Sequence, residues 1–191
     1  MRLMNDNSME NLSVLGAKGK LGFSAVKISS LGATEYSLVT IYVDISGSVS
    51  SFEKELLEAL RTAVESCKKS PRSENLLLRV VEFNQSLQEV HGFKLLKTVD
   101  VSGYDKLQTG GSTALYDAAY GGITATLSYA KTLTDQDFTV NGICFIITDG
   151  DDNASKTSRN MIKDVLDNAK IGEDIESLTT VLVGINDSNC R

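Results

Sequence analysis

Three short runs constrain this chain more than anything else in it. Leu38-Val39-Thr40-Ile41-Tyr42-Val43, Leu76-Leu77-Leu78-Arg79-Val80-Val81-Glu82-Phe83 and Gly142-Ile143-Cys144-Phe145-Ile146-Ile147-Thr148 are mostly apolar and β-branched sequence. A strand with one wet face alternates; an unbroken run suits a strand buried on both faces. Amphipathic stretches separate these runs. The first, about Ser51 to Lys69, places Phe52, Leu56, Leu60, Ala63, Val64 and Cys67 on one face, and Pro71 ends it. Ser50 and Glu53 stand before it at capping-box spacing. The second, Leu115 to Lys131, contains Gly121-Gly122, which costs ~1 kcal/mol per glycine relative to alanine and points to close packing or a kink. The third, about Ser158 to Lys170, puts Met161, Ile162, Val165, Leu166 and Ala169 on its buried face. Leu178 to Ile185 reads as another strand. Strands that alternate with helices predict an α/β fold: a Rossmann-like open, mostly parallel β-sheet with helices on both faces and right-handed crossovers.

The remaining segments are less regular. Residues 1–20 are polar with scattered glycine and read as a flexible arm, or one that orders only against a partner. Leu21 to Ile28 alternates loosely and can form a strand. Leu87 to His91 and Phe93 to Leu96 alternate around Gly92, which predicts a hairpin or edge strand with His91 at the surface. The expected organisation is an N-terminal arm with an extra strand over 1–36 and one domain over 37–191.

Charge and cysteine usage narrow the function classes. The net charge is −6, and Lys68-Lys69 is the only basic pair of note. That argues against a nucleic-acid or membrane-surface binder. No apolar run approaches the ~20 residues needed to span a bilayer. Met1 to Ser13 is polar and carries Asp6 and Glu10, unlike a signal peptide. Cys67, Cys144 and Cys190 lack metal-ligand spacing and are odd in number, which predicts a reducing, cytoplasmic setting. The Asn-x-Ser triplets at Asn11, Asn84, Asn153 and Asn186 then carry no glycan.

Three oxygen-rich loops fall at one edge of the expected sheet, where α/β sites form. They are Asp44-Ile45-Ser46-Gly47-Ser48, Gly110-Gly111-Ser112-Thr113-Ala114-Leu115-Tyr116-Asp117, and Thr148-Asp149-Gly150-Asp151-Asp152-Asn153. Carboxylates and hydroxyls are hard donors that suit Mg²⁺, Mn²⁺ or Ca²⁺. Asp151, Asp152 and Asn153 read as a solvated turn rather than ligands. Asp117 reads either as a brace of the threonine loop or as an exposed helix carboxylate.

Together the loops resemble the metal-ion-dependent adhesion site (MIDAS) of a von Willebrand factor A (vWA) domain. That family carries Asp-x-Ser-x-Ser after its first strand, a threonine in a glycine-preceded loop, and an aspartate with glycine after its fourth strand. Asp44, Ser46 and Ser48 match the first part, Thr113 the second, and Asp149 with Gly150 the third, all in order between about Ser37 and Asp187. The resemblance implies that Ser46, Ser48 and Thr113 supply hydroxyl oxygens and that Asp44 and Asp149 supply charge, often through water. It also implies a Mg²⁺ (or Mn²⁺ or Ca²⁺) cofactor with one open position, filled by a glutamate or aspartate of a protein partner. Intracellular members of the family act in assemblies, including with AAA+ ATPases, and others in phage-related systems.

The chain departs from the family in one respect. The vWA pattern continues with a helix and a sixth strand, whereas this sequence stops at Ser188-Asn189-Cys190-Arg191. Either that unit is missing, or the N-terminal segment replaces it, or a partner covers the edge made by Leu178 to Ile185. The expectation is a non-enzymatic, metal-dependent protein-interaction module. One alternative is a structural assembly subunit with a metal-rigidified site. Another is a Mg²⁺-dependent phosphohydrolase of the haloacid dehalogenase type, whose acidic motif Asp149-Gly150-Asp151-Asp152 faintly resembles. That chemistry needs a second carboxylate two residues after a nucleophilic aspartate, and here Ser46 stands there.

Overall fold

In the computed structural model, residues 8–16, 19–149, 152–172 and 174–185 are described. Met9–Gly16 (β1) and Gly19–Val26 (β2) form an antiparallel hairpin. Glu35–Asp44 (β3) leads through a short 3₁₀ turn into Glu53–Lys68 (α1). Leu76–Phe83 (β4) and Leu87–Leu95 (β5) follow, then Leu115–Thr134 (α2), Thr139–Thr148 (β6), Arg159–Ile171 (α3) and Ser177–Gly184 (β7). The seven strands form one sheet in the order β1-β2-β5-β4-β3-β6-β7. The β3–β4, β3–β6, β6–β7 and β2–β5 ladders are parallel; β1–β2 and β4–β5 are antiparallel. The architecture is the expected α/β one: a mostly parallel sheet with helices on both faces.

Two apolar layers hold the helices to it. On one face Leu56, Leu60 and Val64 of α1 pack against Ile41, Val43, Leu78 and Val80. Each fully buried side chain of this kind contributes ~2 kcal/mol. On the other face Ala125, Tyr129 and Leu133 of α2 meet Leu38, Leu77 and Val140, and Leu115 and Ala118 meet Tyr42, Phe83 and Ile146. The Gly121-Gly122 pair serves this packing. A Cβ at Gly122 would lie 2.8 Å from Cε2 of Tyr42, so glycine lets α2 seat on the central strand.

Arg79 sits inside this sheet at 1% exposure. Its Nε donates to Glu89 Oε2 at 2.8 Å and its Nη1 to Tyr42 Oη at 2.8 Å. The guanidinium also lies over the rings of Phe23, Tyr42 and Phe93. Glu89 in turn accepts from the backbone N–H and hydroxyl of Ser24. One ion pair, with Arg79 buried and Glu89 partly buried, therefore ties the β1–β2 hairpin to the central strands.

Several expectations change here. Residues 9–16 are a strand rather than an arm, because the hairpin finds a sheet edge at β5. That edge is opposite β7, so the N-terminal segment does not stand in for a strand beyond β7. β5 is one strand; the reversal lies at 84–86, before it, and Gly92 is a point of close approach. A Cβ there would fall 2.0 Å from the carbonyl oxygen of Ser24. His91 is buried at 2% exposure, not at the surface. Its Nε2 lies 2.6 Å from Tyr104 Oη and its Nδ1 2.9 Å from the Gly92 carbonyl. Ser50 caps nothing: it lies within the 3₁₀ turn, and Phe52 stands at the N-cap position of α1 without a side-chain cap. By contrast, Ser158 does cap α3, accepting from the Met161 N–H. The expected buried face of α3 is only partly covered; no residue of it is buried, and Met161 is 39% exposed. Among the described residues β7 pairs with β6 alone, so its outer edge is uncovered. Cys190 lies outside the described residues.

Candidate metal centre

The parallel register brings the ends of β3, β4 and β6 to one sheet edge: Asp44 pairs with Phe83 and Val43 with Ile147. Asp44 is the last residue of β3 and has no exposure to solvent. Its Oδ1 accepts from the Ser46 N–H at 2.8 Å, and its Oδ2 from Thr148 Oγ1 at 2.6 Å. Burial pushes this carboxyl above the usual range, and the charge of Asp149 pushes the same way; the bonds from Thr148 and Ser46 oppose both.

The next two residues of the set lie on the turn after β3. Ser46 is buried and Ser48 exposed, with their hydroxyls 3.1 Å apart. This turn is bonded to the threonine loop. Gly47 N–H donates to the Gly111 carbonyl at 2.9 Å and Gly110 N–H to the Ile45 carbonyl at 2.7 Å. Gly111 has φ of 84°, in the left-handed region where glycine is at ease. Two residues missed in the sequence hold the loop from the other side. Asn84 Nδ2 donates to the Gly110 carbonyl at 3.0 Å, and Gln85 Oε1 accepts from the Ser112 N–H at 3.0 Å. The signal was local for Asn84, whose Oδ1 closes a turn onto the Ser86 N–H.

Thr113 is buried and gripped on both sides of its peptide. Its N–H donates to Asn153 Oδ1 at 2.8 Å, and its carbonyl accepts from the N–H groups of Asn153 and Ala154, each at 3.0 Å. Asn153 is therefore a brace of the threonine loop, not merely part of a solvated turn. Asp152 braces as well: its Oδ1 accepts from the Tyr116 N–H and the Ser155 hydroxyl. Asp117 is buried and so is not the exposed helix carboxylate. Its Oδ1 accepts from the N–H groups of Lys156 (3.0 Å) and Thr157 (2.8 Å). It lies in the first turn of α2, where the helix dipole favours negative charge.

Asp149 completes the set. Its Oδ1 is buried without a hydrogen-bond partner among the described residues. An orphaned carboxylate oxygen near a second, solvent-free carboxylate is costly unless a positive charge joins them. The donors fit a cation: two carboxylates and three hydroxyls, all hard oxygens. Among the described residues no group of three or more histidine, cysteine, aspartate or glutamate side chains could hold a metal, so any cation here relies on the hydroxyls. The structure thus gathers Asp44, Ser46, Ser48, Thr113 and Asp149 onto three mutually bonded segments at one sheet edge. Gly150 and Asp151 lie outside the described residues.

No family model matches this sequence, and no curated protein matches it. Solved structures resemble its fold. The manganese-loaded TRAP protein of Plasmodium vivax is 17% identical, with a TM-score of 0.49 over 96% of this chain and 64% of that one. Proximal thread matrix protein 1 from the mussel byssus is 16% identical, with a TM-score of 0.49 over 91% of this chain and 38% of that one. The PilB minor pilin from Streptococcus sanguinis is 18% identical, with a TM-score of 0.44 over 69% of this chain and 34% of that one. The chain spans less than two thirds of the length of each of these structures.

Proposed function

We propose that this chain is a divalent-cation-dependent protein-binding module whose partner presents an aspartate or glutamate. The observation that carries the reading is the buried, unpartnered Oδ1 of Asp149 close enough to Asp44 to raise its carboxyl. Asp149, Ser46, Ser48 and Thr113 would hold Mg²⁺, Mn²⁺ or Ca²⁺, with Asp44 supplying charge from beneath. A bound cation supplies a positive centre that two carboxylates and neutral hydroxyls leave open to one more anionic oxygen. Ser48 is exposed, which leaves that side of the set accessible. Asp44 positions the turn by receiving the Ser46 N–H, and Asn153 fixes the height of Thr113. The resemblance to the MIDAS pattern supports the same assignment, and with it an intracellular assembly, such as one containing an AAA+ ATPase, as the setting.

We read the site as non-catalytic. Ser46 stands where phosphotransfer from Asp44 would need an acid-base carboxylate. His91 is committed to Tyr104 and Gly92 in the interior, and burial lowers it to about 3, so it does not serve a serine nucleophile. No helix among the described residues is long and apolar enough to cross a membrane.

The test is binding of an aspartate-bearing peptide, measured by fluorescence anisotropy in Mn²⁺ and in EDTA. Binding should appear in Mn²⁺, vanish in EDTA and vanish in Asp44→Ala. Peptide binding indifferent to both would overturn the reading. The structural-subunit alternative predicts instead a solution mass that rises when the cation is added.

A further inference from the structure

β7 is an open edge of the sheet. Among the described residues it pairs only with β6, in unbroken register over eight residues. Native sheets blunt such edges with lysine, proline, a bulge or short length. Ser177–Gly184 has none of these: the strand carries no charge, no proline and no bulge. It is also apolar toward solvent. Leu182 is 56% exposed and pairs in register with Ile146, which packs against Leu115 and Ala118 of α2. Residues paired in register share a face, so Leu182 stands on the side of the sheet that carries α2.

α3 lies beside α2 on that face and reaches β7. Its charged and apolar residues occupy different flanks. Arg159, Lys163, Asp167 and Lys170 recur at helical spacing on one flank. Arg159 donates to Tyr116 of α2 at 2.7 Å, so this is the flank toward α2. Met161, Val165 and Asn168 recur on the other flank, away from α2 and on the side of the β7 edge. Met161 is exposed and Val165 half-buried, with Asp164 at the solvent rim. The edge strand and this flank form one apolar surface, charged only at that rim, on a chain of net charge −6.

We infer that β7 pairs antiparallel with β7 of a second copy of this chain, about a two-fold axis normal to the sheet at Thr180. Such an axis keeps each face on its own side, so the two sheets run on as one and the outer flanks of the two α3 helices face each other. The occupant is a second copy because the surface complements itself. With the axis at Thr180, that residue meets its own copy and each exposed Leu182 meets Leu178, and no charge in the strand opposes a like charge. Much of the remaining surface of an acidic chain repels a second copy; this edge does not. Antiparallel pairing is also the more stable kind per residue. The axis reverses the strands, so the sheet edge that carries the candidate metal centre lies at opposite ends in the two copies. On the metal-dependent reading above, the dimer therefore holds two partners at its two ends and bridges them. The pairing itself stands apart from that reading.

The experiment is sedimentation equilibrium of the full chain at about 100 µM, enough to fill an interface of micromolar dissociation constant, in EDTA and in Mg²⁺. The mass should be twice the 20.6 kDa of one chain in both. Thr180→Lys and, separately, Leu182→Lys set like charges against each other at or beside the axis. Both positions are exposed, and each variant should return to the mass of one chain. Hydrogen exchange of the wild type gives a readout that needs no variant: amides in residues 177–184 should lose protection on dilution, while those of β3, β4 and β6 keep theirs. A wild type at the mass of one chain overturns the pairing, as does a dimer that survives both substitutions or whose β7 amides ignore dilution. A mass that doubles only in Mg²⁺ also overturns it, because the contact is then cation-driven. A mass that climbs past two copies overturns the two-fold, since an edge that meets a different edge of the next copy makes an open chain. A dimer in EDTA whose metal centre takes up no cation leaves the pairing standing and removes the metal reading alone.

Discussion

Thr148 Oγ1 donates a 2.6 Å hydrogen bond to Oδ2 of Asp44, joining the last residues of β6 and β3 across 104 positions of sequence. The bond does two things. It fixes the carboxylate beneath the Asp44–Ser48 turn, and it offsets part of the burial that raises the Asp44 carboxyl. Thr148→Val keeps the shape and removes the donor. The variant should lose about 1–3 kcal/mol in urea unfolding, the usual cost of leaving a buried acceptor unpaired. It should also bind Mn²⁺ more weakly, because Asp44 then carries its negative charge less readily and is aimed less well. Unchanged unfolding and unchanged Mn²⁺ affinity would remove Thr148 from the site.

Gly92 and Ser24 lie too close for any side chain between them, with a Cβ placed 2.0 Å from the Ser24 carbonyl oxygen. Because that atom is backbone, the strands must part. Gly92→Ala should destabilise the protein by more than ~2 kcal/mol. Hydrogen exchange should locate the loss in the β1–β2 hairpin rather than in β3, β4 and β6. Uniform loss of protection would show that the hairpin is not a separable layer on the β5 edge.

Arg79 and Glu89 call for a double-mutant cycle. Arg79→Met leaves the partly buried Glu89 with Ser24 alone and should cost about 2–3 kcal/mol, less than for a fully buried pair because water reaches the carboxylate. Arg79→Met with Glu89→Leu removes both charges and should recover most of that loss. A double variant no better than the single would mean that the guanidinium acts mainly through its ring contacts with Phe23, Tyr42 and Phe93.

His91 sets an acid sensitivity. Burial holds its imidazole at about 3, below the ordinary 6.5. The unfolded chain then binds the proton more readily than the native one, so stability is full above about 6.5 and falls as pH drops toward 3. The slope from this one group approaches ~1.4 kcal/mol per pH unit. Denaturant midpoints between pH 7 and 4 should fall more steeply for the wild type than for His91→Gln. Parallel curves would contradict the burial of a neutral imidazole.

Much of this was legible in the residues. The β4 run Leu76–Phe83 has the bounds its apolar pattern gives, because every position is buried and no alternation confuses the period. That the three loops meet at one sheet edge was legible because Asp44 and Asp149 follow strand ends and Thr113 follows a glycine pair. Gly121-Gly122 was legible as close packing or a kink; the contacts with Leu21, Leu87 and Tyr42 show that it is packing. What stayed hidden depends on partners distant in sequence. Nothing local to Met9–Gly16 shows that β5 offers an edge for its hairpin, so a polar strand looks like an arm. His91 looks exposed because its burial comes from Tyr104 in a loop thirteen positions on. The clasp of Asn153 on Thr113 spans 40 positions and leaves no periodic trace. α3 carries the pattern of a buried face, yet it lies against α2 and the edge strand β7, where too little surface exists to cover it.

The most direct measurement is calorimetric titration of Mg²⁺ and Mn²⁺ into the wild type and Asp149→Asn, with thermal unfolding of both in EDTA. The account predicts one cation site in the wild type, lost in the variant. It also predicts that the metal-free variant is the more stable of the two, because a buried, unpartnered carboxylate oxygen has been replaced by a neutral amide. A wild type that takes up no cation, or a variant that binds it as well as the wild type, would contradict the assignment of Asp149 and with it the metal centre.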